Sequence, residues 1–217
     1  MSTPARARHA VALIDNLAGA AEASGIHLID RRFGESFTSY PEFYRRIRRQ
    51  ANRLAALGVR PGQRVAISLA TDLDVISCFL GLIYMGAVPV SVHQPLVGQA
   101  QEAYLTNLAS LIRAHKLDRL VLSERLAEVA RAERIVEPEL IAPCELPLGG
   151  GEWPEVAAAA CSPDDLAMVQ FSSGSTARPK GVLITHQNLV YNLGLQVDHD
   201  SRAAEHVAMT WLPLCHH

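Results

Sequence analysis

The chain has 217 residues, of which 49% are hydrophobic and 19% charged, with a formal net charge of -2. It can therefore bury a substantial core, and it is neither disordered nor membrane-like in composition. The near-neutral balance gives no electrostatic ground for nucleic-acid or acidic-membrane binding, so any phosphate ligand must be held locally.

The N-terminal stretch carries Asp15, Asn16 and Glu22 and offers no continuous signal-peptide core. Val11, Ile14, Leu17 and Ala21 share one face of an amphipathic helix expected over residues 5–21. Residues 27–30 and 35–38 read as a short hairpin with a polar tip. Ser39, Pro41 and Glu42 have the form of a capping box with proline in the first turn, so a helix should run to Leu57 and stop at Gly58. Its arginines, Arg45, Arg46, Arg48, Arg49 and Arg53, suit either a phosphate backbone or a solvated face. The slightly acidic chain and the lack of interleaved aromatics favour the face.

A strand over residues 64–69, a helix capped by Thr71 or Asp72 and ending near Gly86, and a strand over 88–92 form a βαβ pattern. That pattern implies a parallel pair with a right-handed crossover. The longest apolar run, residues 75–92, is interrupted by Gly81, Gly86 and Pro89 and does not suit a membrane span. The unit repeats more weakly: helix 99–115, strand 119–122, helix 123–134, strand 140–142. Residues 143–154, rich in Pro and Gly, read as an irregular surface crossing that could separate two halves of the sheet system. Two strands expected to be buried follow, over 166–171 and 181–185, then a helix over 187–195 and a final strand over 206–212. The four cysteines, Cys78, Cys144, Cys161 and Cys215, show no C-x-x-C pairing and no zinc spacing. Free thiols of this kind suit the cytoplasm.

Between the strands at 166–171 and 181–185 stand Ser172, Ser173, Gly174, Ser175 and Thr176, then Ala177, Arg178, Pro179, Lys180 and Gly181. Glycines and small hydroxyl residues let a backbone close around an anion, converging main-chain N–H groups and hydroxyls on phosphate oxygens. Lys180 adds a compact positive charge. This is not a Walker A loop, because Gly174 and Gly181 are too far apart and Pro179 precedes the lysine. A flexible Ser/Gly linker would have the same composition, but it has no reason to be suspended between two apolar strands. His186 and Asn188 suit capping and strand-end hydrogen bonding, with direct catalysis as the alternative.

These residues, with Thr185, His186, Gln187, Asn188 and Leu189 after them, resemble the phosphate loop of the adenylate-forming (AMP-binding) superfamily. Its members include acyl-CoA synthetases, peptide-synthetase adenylation domains, luciferases and fatty acyl-AMP ligases. Thr210, Trp211, Leu212, Pro213, Leu214, Cys215 and His216 resemble the family's next signature. The wording of both motifs is most similar to fatty acyl-AMP ligases. Ala177 departs from the family's frequent glycine, and His217 stands where aspartate is common.

The resemblance implies an α/β fold of parallel-sheet βαβ layers with flanking helices, forming the N-terminal part of an AMP-binding domain over residues 1–217. It implies ATP and Mg²⁺ as cofactors, with Ser172, Ser173, Gly174, Ser175, Thr176, Lys180 and Gly181 binding the nucleotide and no metal ligands of the protein's own. It makes His216 the catalytic residue, beside the α-phosphate and the acyl pocket; a plain surface histidine is the alternative. The partners it implies are a carboxylic acid, fatty in the nearest subfamily, and an acyl carrier protein or CoA as acceptor. The family's downstream segments, with a second lysine on a small C-terminal domain, have no match in the 217 residues. These residues alone are thus expected not to complete adenylation. A non-catalytic nucleotide-binding or interaction module, or a degenerate remnant, is the competing expectation.

Overall fold

The computed structural model describes residues 9–29, 33–69, 72–92, 100–134, 141–143, 153–172, 180–199 and 207. The chain opens with α1 (Ala10–Asn16), which tightens into a 3-10 turn at Leu17–Gly19. This is shorter than the apolar stripe suggested. Ala20 is already extended (ψ 157°), so Ala21 lies past the helical segment.

β1 (Gly25–Ile29) and β2 (Glu35–Ser39) pair antiparallel as the expected hairpin. α2 (Tyr40–Ala56) begins at Ser39, whose Oγ accepts from the Glu42 N–H at 3.4 Å. The Glu42 carboxylate is engaged by Arg45 and Arg49, so the box forms on the serine side. Gly58 ends this segment in the left-handed region (φ +90°), a conformation that lacks a steric cost only without a Cβ.

β3 (Arg64–Ser68), α3 (Leu73–Tyr84), β4 (Val88–Ser91), α4 (Gln101–His115), β5 (Arg119–Leu122), α5 (Glu124–Ala132) and β6 (Ile141–Pro143) then alternate strand and helix. β7 (Leu166–Ser172), β8 (Lys180–Thr185) and α6 (His186–His199) follow. One six-stranded sheet has the order β6-β5-β3-β4-β7-β8, parallel throughout except that β8 runs antiparallel to β7. The parallel βαβ layers expected from the sequence are present.

Because side chains alternate across a strand, the apolar run of β3 feeds two cores. Val65 and Ile67 point to the layer holding α1, α2 and α3, with Ile47, Leu54 and Leu82 fully buried there. Ala66, between them, points to α4 and α5, against Leu105, Leu120 and Leu122. Helices thus cover both faces, as parallel strands require. Four arginines of α2 form an ion-paired face, with Arg46 meeting Asp74 of α3 and Arg48 meeting Glu155, whereas Arg53 departs from the expected solvated face and is buried at 7% exposure. Residues 153–161 run along this layer, with the Val156 N–H donating to Asn52 Oδ1 at 2.8 Å and the Ala159 N–H to the Tyr84 carbonyl at 2.8 Å. Residues 144–152, most of the expected irregular crossing, lie outside the described residues. The strands before and after it, β6 and β7, belong to the same sheet.

β8 corrects one expectation. It is not buried: Val182 is 49% exposed and Leu183 65%. Among the described residues the strand stands at the end of the sheet order with β7 on one side of it. Its apolar sequence therefore marks a face left uncovered by the described residues. The strand expected over 206–212 lies outside the described residues apart from Val207, which is exposed. Among the described residues no helix is long and apolar enough to cross a membrane.

Candidate nucleotide-binding site

The hydroxyl- and glycine-rich segment joins β7 to β8. The two strands pair from Leu166 opposite Thr185 up to Ser172 opposite Lys180, so residues 173–179 are bracketed by a hydrogen-bonded hairpin base. β7 lies parallel to β4, with Val90 beside Val169 and Ser91 beside Gln170. The segment therefore leaves the sheet at the carboxyl ends of the parallel strands. This is the edge where open α/β sheets bind ligands, because helix N-termini and crossover loops gather there.

Of the nucleotide-binding residues expected from the sequence, Ser172, Lys180 and Gly181 lie in the two strands at the hairpin base. Lys180 is exposed. Gly181 sits opposite Phe171, and a Cβ on it would come within 3.2 Å of a Val169 methyl and 3.5 Å of the Phe171 ring. Its lack of a side chain lets those two residues approach the strand closely. Ser173, Gly174, Ser175, Thr176 and the catalytic candidate His216 lie outside the described residues.

Two contacts support this edge from beneath. Phe171 stacks edge-on against His115 at the end of α4, ring centroids 4.7 Å apart. The Ser68 hydroxyl, at the carboxyl end of β3, shares a buried hydrogen bond with the Tyr104 hydroxyl of α4. Both tie α4 to the sheet, one of them immediately before Ser172. At the N-terminus of α3, Asp72 accepts from the Asp74 and Val75 N–H groups at 2.9 and 3.0 Å. Burial raises the Asp72 carboxyl above its ordinary range, against the pull of those two amides.

β8 turns into α6 through a reciprocal cap. The Thr185 N–H donates to Asn188 Oδ1 at 3.1 Å, and the Asn188 N–H donates to Thr185 Oγ1 at 3.2 Å. That is the capping-box arrangement with asparagine in the third position. His186 is buried, its Nδ1 accepting from the Ala10 N–H. It serves the strand-end hydrogen-bonding role rather than facing the hairpin mouth. Sequence reasoning could not find its partner, because nothing local links residues 176 positions apart.

The family profile described as AMP-binding enzyme matches residues 8–217. The chain belongs to the AMP-binding enzyme family. It is 32% identical over 207 residues to a putative acyl-CoA synthetase of Caulobacter vibrioides, covering 89% of this chain and 34% of that protein. It is 30% identical over 194 residues to a crotonobetaine/carnitine–CoA ligase of Salmonella arizonae, covering 84% of this chain and 37% of the relative. Among solved structures, one from a study of fatty acyl-adenylate ligases of E. coli and L. pneumophila superposes with a TM-score of 0.75 at 27% identity, covering 96% of this chain and 38% of that one. The 217 residues thus span between 34% and 38% of the length of these AMP-binding relatives.

Proposed function

We propose that the hairpin between β7 and β8 grips the β- and γ-phosphates of ATP while a carboxylic acid is activated as its acyl-adenylate. In that reaction a carboxylate oxygen bonds to the α-phosphorus, the α–β bridging P–O bond breaks, and pyrophosphate leaves with the electron pair. The protein's task is to hold the charge that develops on the leaving group. The observation that carries this reading is the position of Lys180: exposed, paired with Ser172 at the hairpin base, and at the carboxyl edge of the parallel sheet.

Lys180 supplies a positive charge where the terminal phosphates would lie, and the amides and hydroxyls of residues 173–176 supply donors around them. Mg²⁺ is the ion that the family resemblance implies as a companion of the phosphates. When bound, the ion would neutralise phosphate charge. His216 is assigned the positioning of the incoming carboxylate, as the resemblance of its motif implies.

A fatty acid is the favoured substrate class, supported by the likeness to fatty acyl-adenylate ligases. The acceptor is a thiol, either CoA, as the names of the relatives suggest, or a carrier-protein phosphopantetheine. Cys78 and Cys161 carry thiols rather than a disulfide, which fits a reducing cytoplasm. Because residues 1–217 span about a third of the relatives' length, they are expected to be inactive by themselves. The deciding measurement is acid-dependent ATP–pyrophosphate exchange by the complete protein across carboxylic acids of increasing chain length. Exchange that needs a particular acid supports the reading; no exchange with any acid overturns it.

A further inference from the structure

α1 has only seven residues, too few to hold as an isolated helix in water. Two of its orphan N-terminal amides are satisfied by imidazoles, one adjacent in sequence and one from a distant part of the chain. His9, just before the helix, accepts from the Ala12 N–H at 3.4 Å. The Ala10 N–H donates to Nδ1 of His186, 3.2 Å away. His186 is 2% exposed and opens α6 directly after β8. Its backbone N–H donates to the Asp165 carbonyl at 3.0 Å, and the Gln187 N–H donates to the Pro163 carbonyl at 2.8 Å. His186 thus joins three pieces: α1 through its ring, and the start of β7 and the end of β8 through its backbone.

An imidazole nitrogen accepts only while it carries no proton. Because a backbone N–H can only donate, the proton of neutral His186 must sit on Nε2. A second proton, on Nδ1, would set donor against donor in a buried site. It would remove the bond and leave a desolvated cation.

The charged groups around this ring pull in both directions. His9, just before α1, stands edge-on with ring centroids 6.5 Å apart and disfavours charge on His186. Asp165, before β7, favours the cation, while its carboxylate accepts from the Ser162 N–H at 2.7 Å. Asp15 of α1 accepts from the Tyr44 hydroxyl, and Asp74 of the adjoining α3 is paired with Arg46. The first turn of α6, Gln187 to Leu189, carries no charge. Burial and then His9 outweigh Asp165 and hold His186 below its ordinary value.

We propose that neutral His186 is a positioning group that clasps the N-terminal helix to the corner where β8 turns into α6, and that its protonation opens the clasp. The folded-state value is the depressed one. The clasp therefore contributes fully above the unfolded value, about 6.5, and is lost as pH falls through the lower folded value. In the folded protein, acid should release α1 and loosen the return strand of the hairpin.

The test is amide hydrogen exchange of residues 9–17 in the complete protein, corrected for intrinsic rates, between about pH 7.5 and about pH 5. We expect protection to fall by about tenfold or more across that interval, since it spans the ordinary titration range of histidine. His186→Asn keeps an acceptor near the Nδ1 position but cannot titrate, so its protection should stay level. His9→Asn should retain the wild-type fall. Equal protection at both pH values, an equal fall in His186→Asn, or loss of the fall in His9→Asn would each overturn the proposal. Should His186→Asn fail to fold, the wild-type His186 ring resonances decide: their titration must coincide with the loss of α1 protection, and a separation of the two rejects the clasp. No readout involves a nucleotide, so failure here is distinct from failure of the adenylation reading.

Discussion

Ser172 and Lys180 are directly opposed in the final pair of the β7–β8 ladder. The segment between them is thereby closed at its base by strand pairing rather than by its own composition. A Ser/Gly-rich stretch that would be flexible alone is anchored at both ends, one end on β7 with β4 beside it. Ordering such a stretch around an anion costs less conformational entropy when its ends are already fixed.

Replacing Lys180 with alanine in the complete protein should slow adenylate formation by about 10²–10³-fold if its contact strengthens as pyrophosphate departs. Thr176→Ala should act in the same direction through loss of a hydroxyl donor. Lys180 is exposed, so the thermal midpoint should be unchanged by its truncation. Acid-dependent pyrophosphate exchange, measured beside a thermal melt, checks both statements. Unaltered exchange in Lys180→Ala would remove the hairpin from the nucleotide site.

Asp72 gives a prediction with a sign set by pH. As the cap of α3 it satisfies two orphan amides, so Asp72→Ala should cost about 1 kcal/mol. Its folded carboxyl is raised, chiefly by burial. A raised acid contributes most below its unfolded value and loses that contribution as pH rises through the folded value. Asp72→Asn keeps the cap without the buried charge. It should match or exceed the wild type at neutral pH, by urea denaturation, and lose that advantage in acid.

The basic face of α2 should not confer nucleic-acid binding. Arg45 and Arg49 share Glu42, Arg46 meets Asp74, and Arg48 meets Glu155. Counterion release needs positive charge free to neutralise phosphates, and the three carboxylates among these four arginines leave an excess of only one charge. Fluorescence anisotropy with a labelled duplex should show no binding with a steep salt dependence. A salt slope that falls on replacing Arg45 and Arg49 would contradict this.

The features readable from sequence were those with local causes. Ser39 and Asp72 as caps, Gly58 as a left-handed stop, and the apolar runs of β3, β4, β5 and β7 each depend on neighbours within a few residues. The hairpin base around residues 173–179 was legible for the same reason, since two strand-like runs bracketed it. Strand order was not legible: β7 sits beside β4 although β5 and β6 intervene in sequence, and periodicity carries no information on which strand lies next to which. The exposure of β8 was missed because an apolar run reports affinity for a core without saying whether one covers it. The Ala10–His186 bond and the carboxylate partners of Arg46 and Arg48 join residues far apart in the chain, and no local pattern encodes them.

Gly81 should be intolerant of even one added methyl group, which bears on how closely α2 and α3 pack. A Cβ there would lie 3.1 Å from the Ala51 backbone nitrogen, 3.1 Å from the Ile47 carbonyl oxygen and 3.2 Å from the Gln50 Cβ. Two of these atoms are backbone of α2 and cannot rotate away, so the helices must separate. Alanine in place of a helical glycine gains about 1 kcal/mol in propensity, but overpacking a filled core costs about 1–3 kcal/mol. The crossing is lined by fully buried Ile47, Ala51, Leu54, Cys78 and Leu82, so separation would loosen all of them and the cost should win. Gly194, in α6, has nothing within 4 Å of the same position. Gly194→Ala should therefore show the propensity gain alone. Urea denaturation of the two variants should give changes of opposite sign, and stabilisation by both would mean that the α2–α3 approach has room to spare.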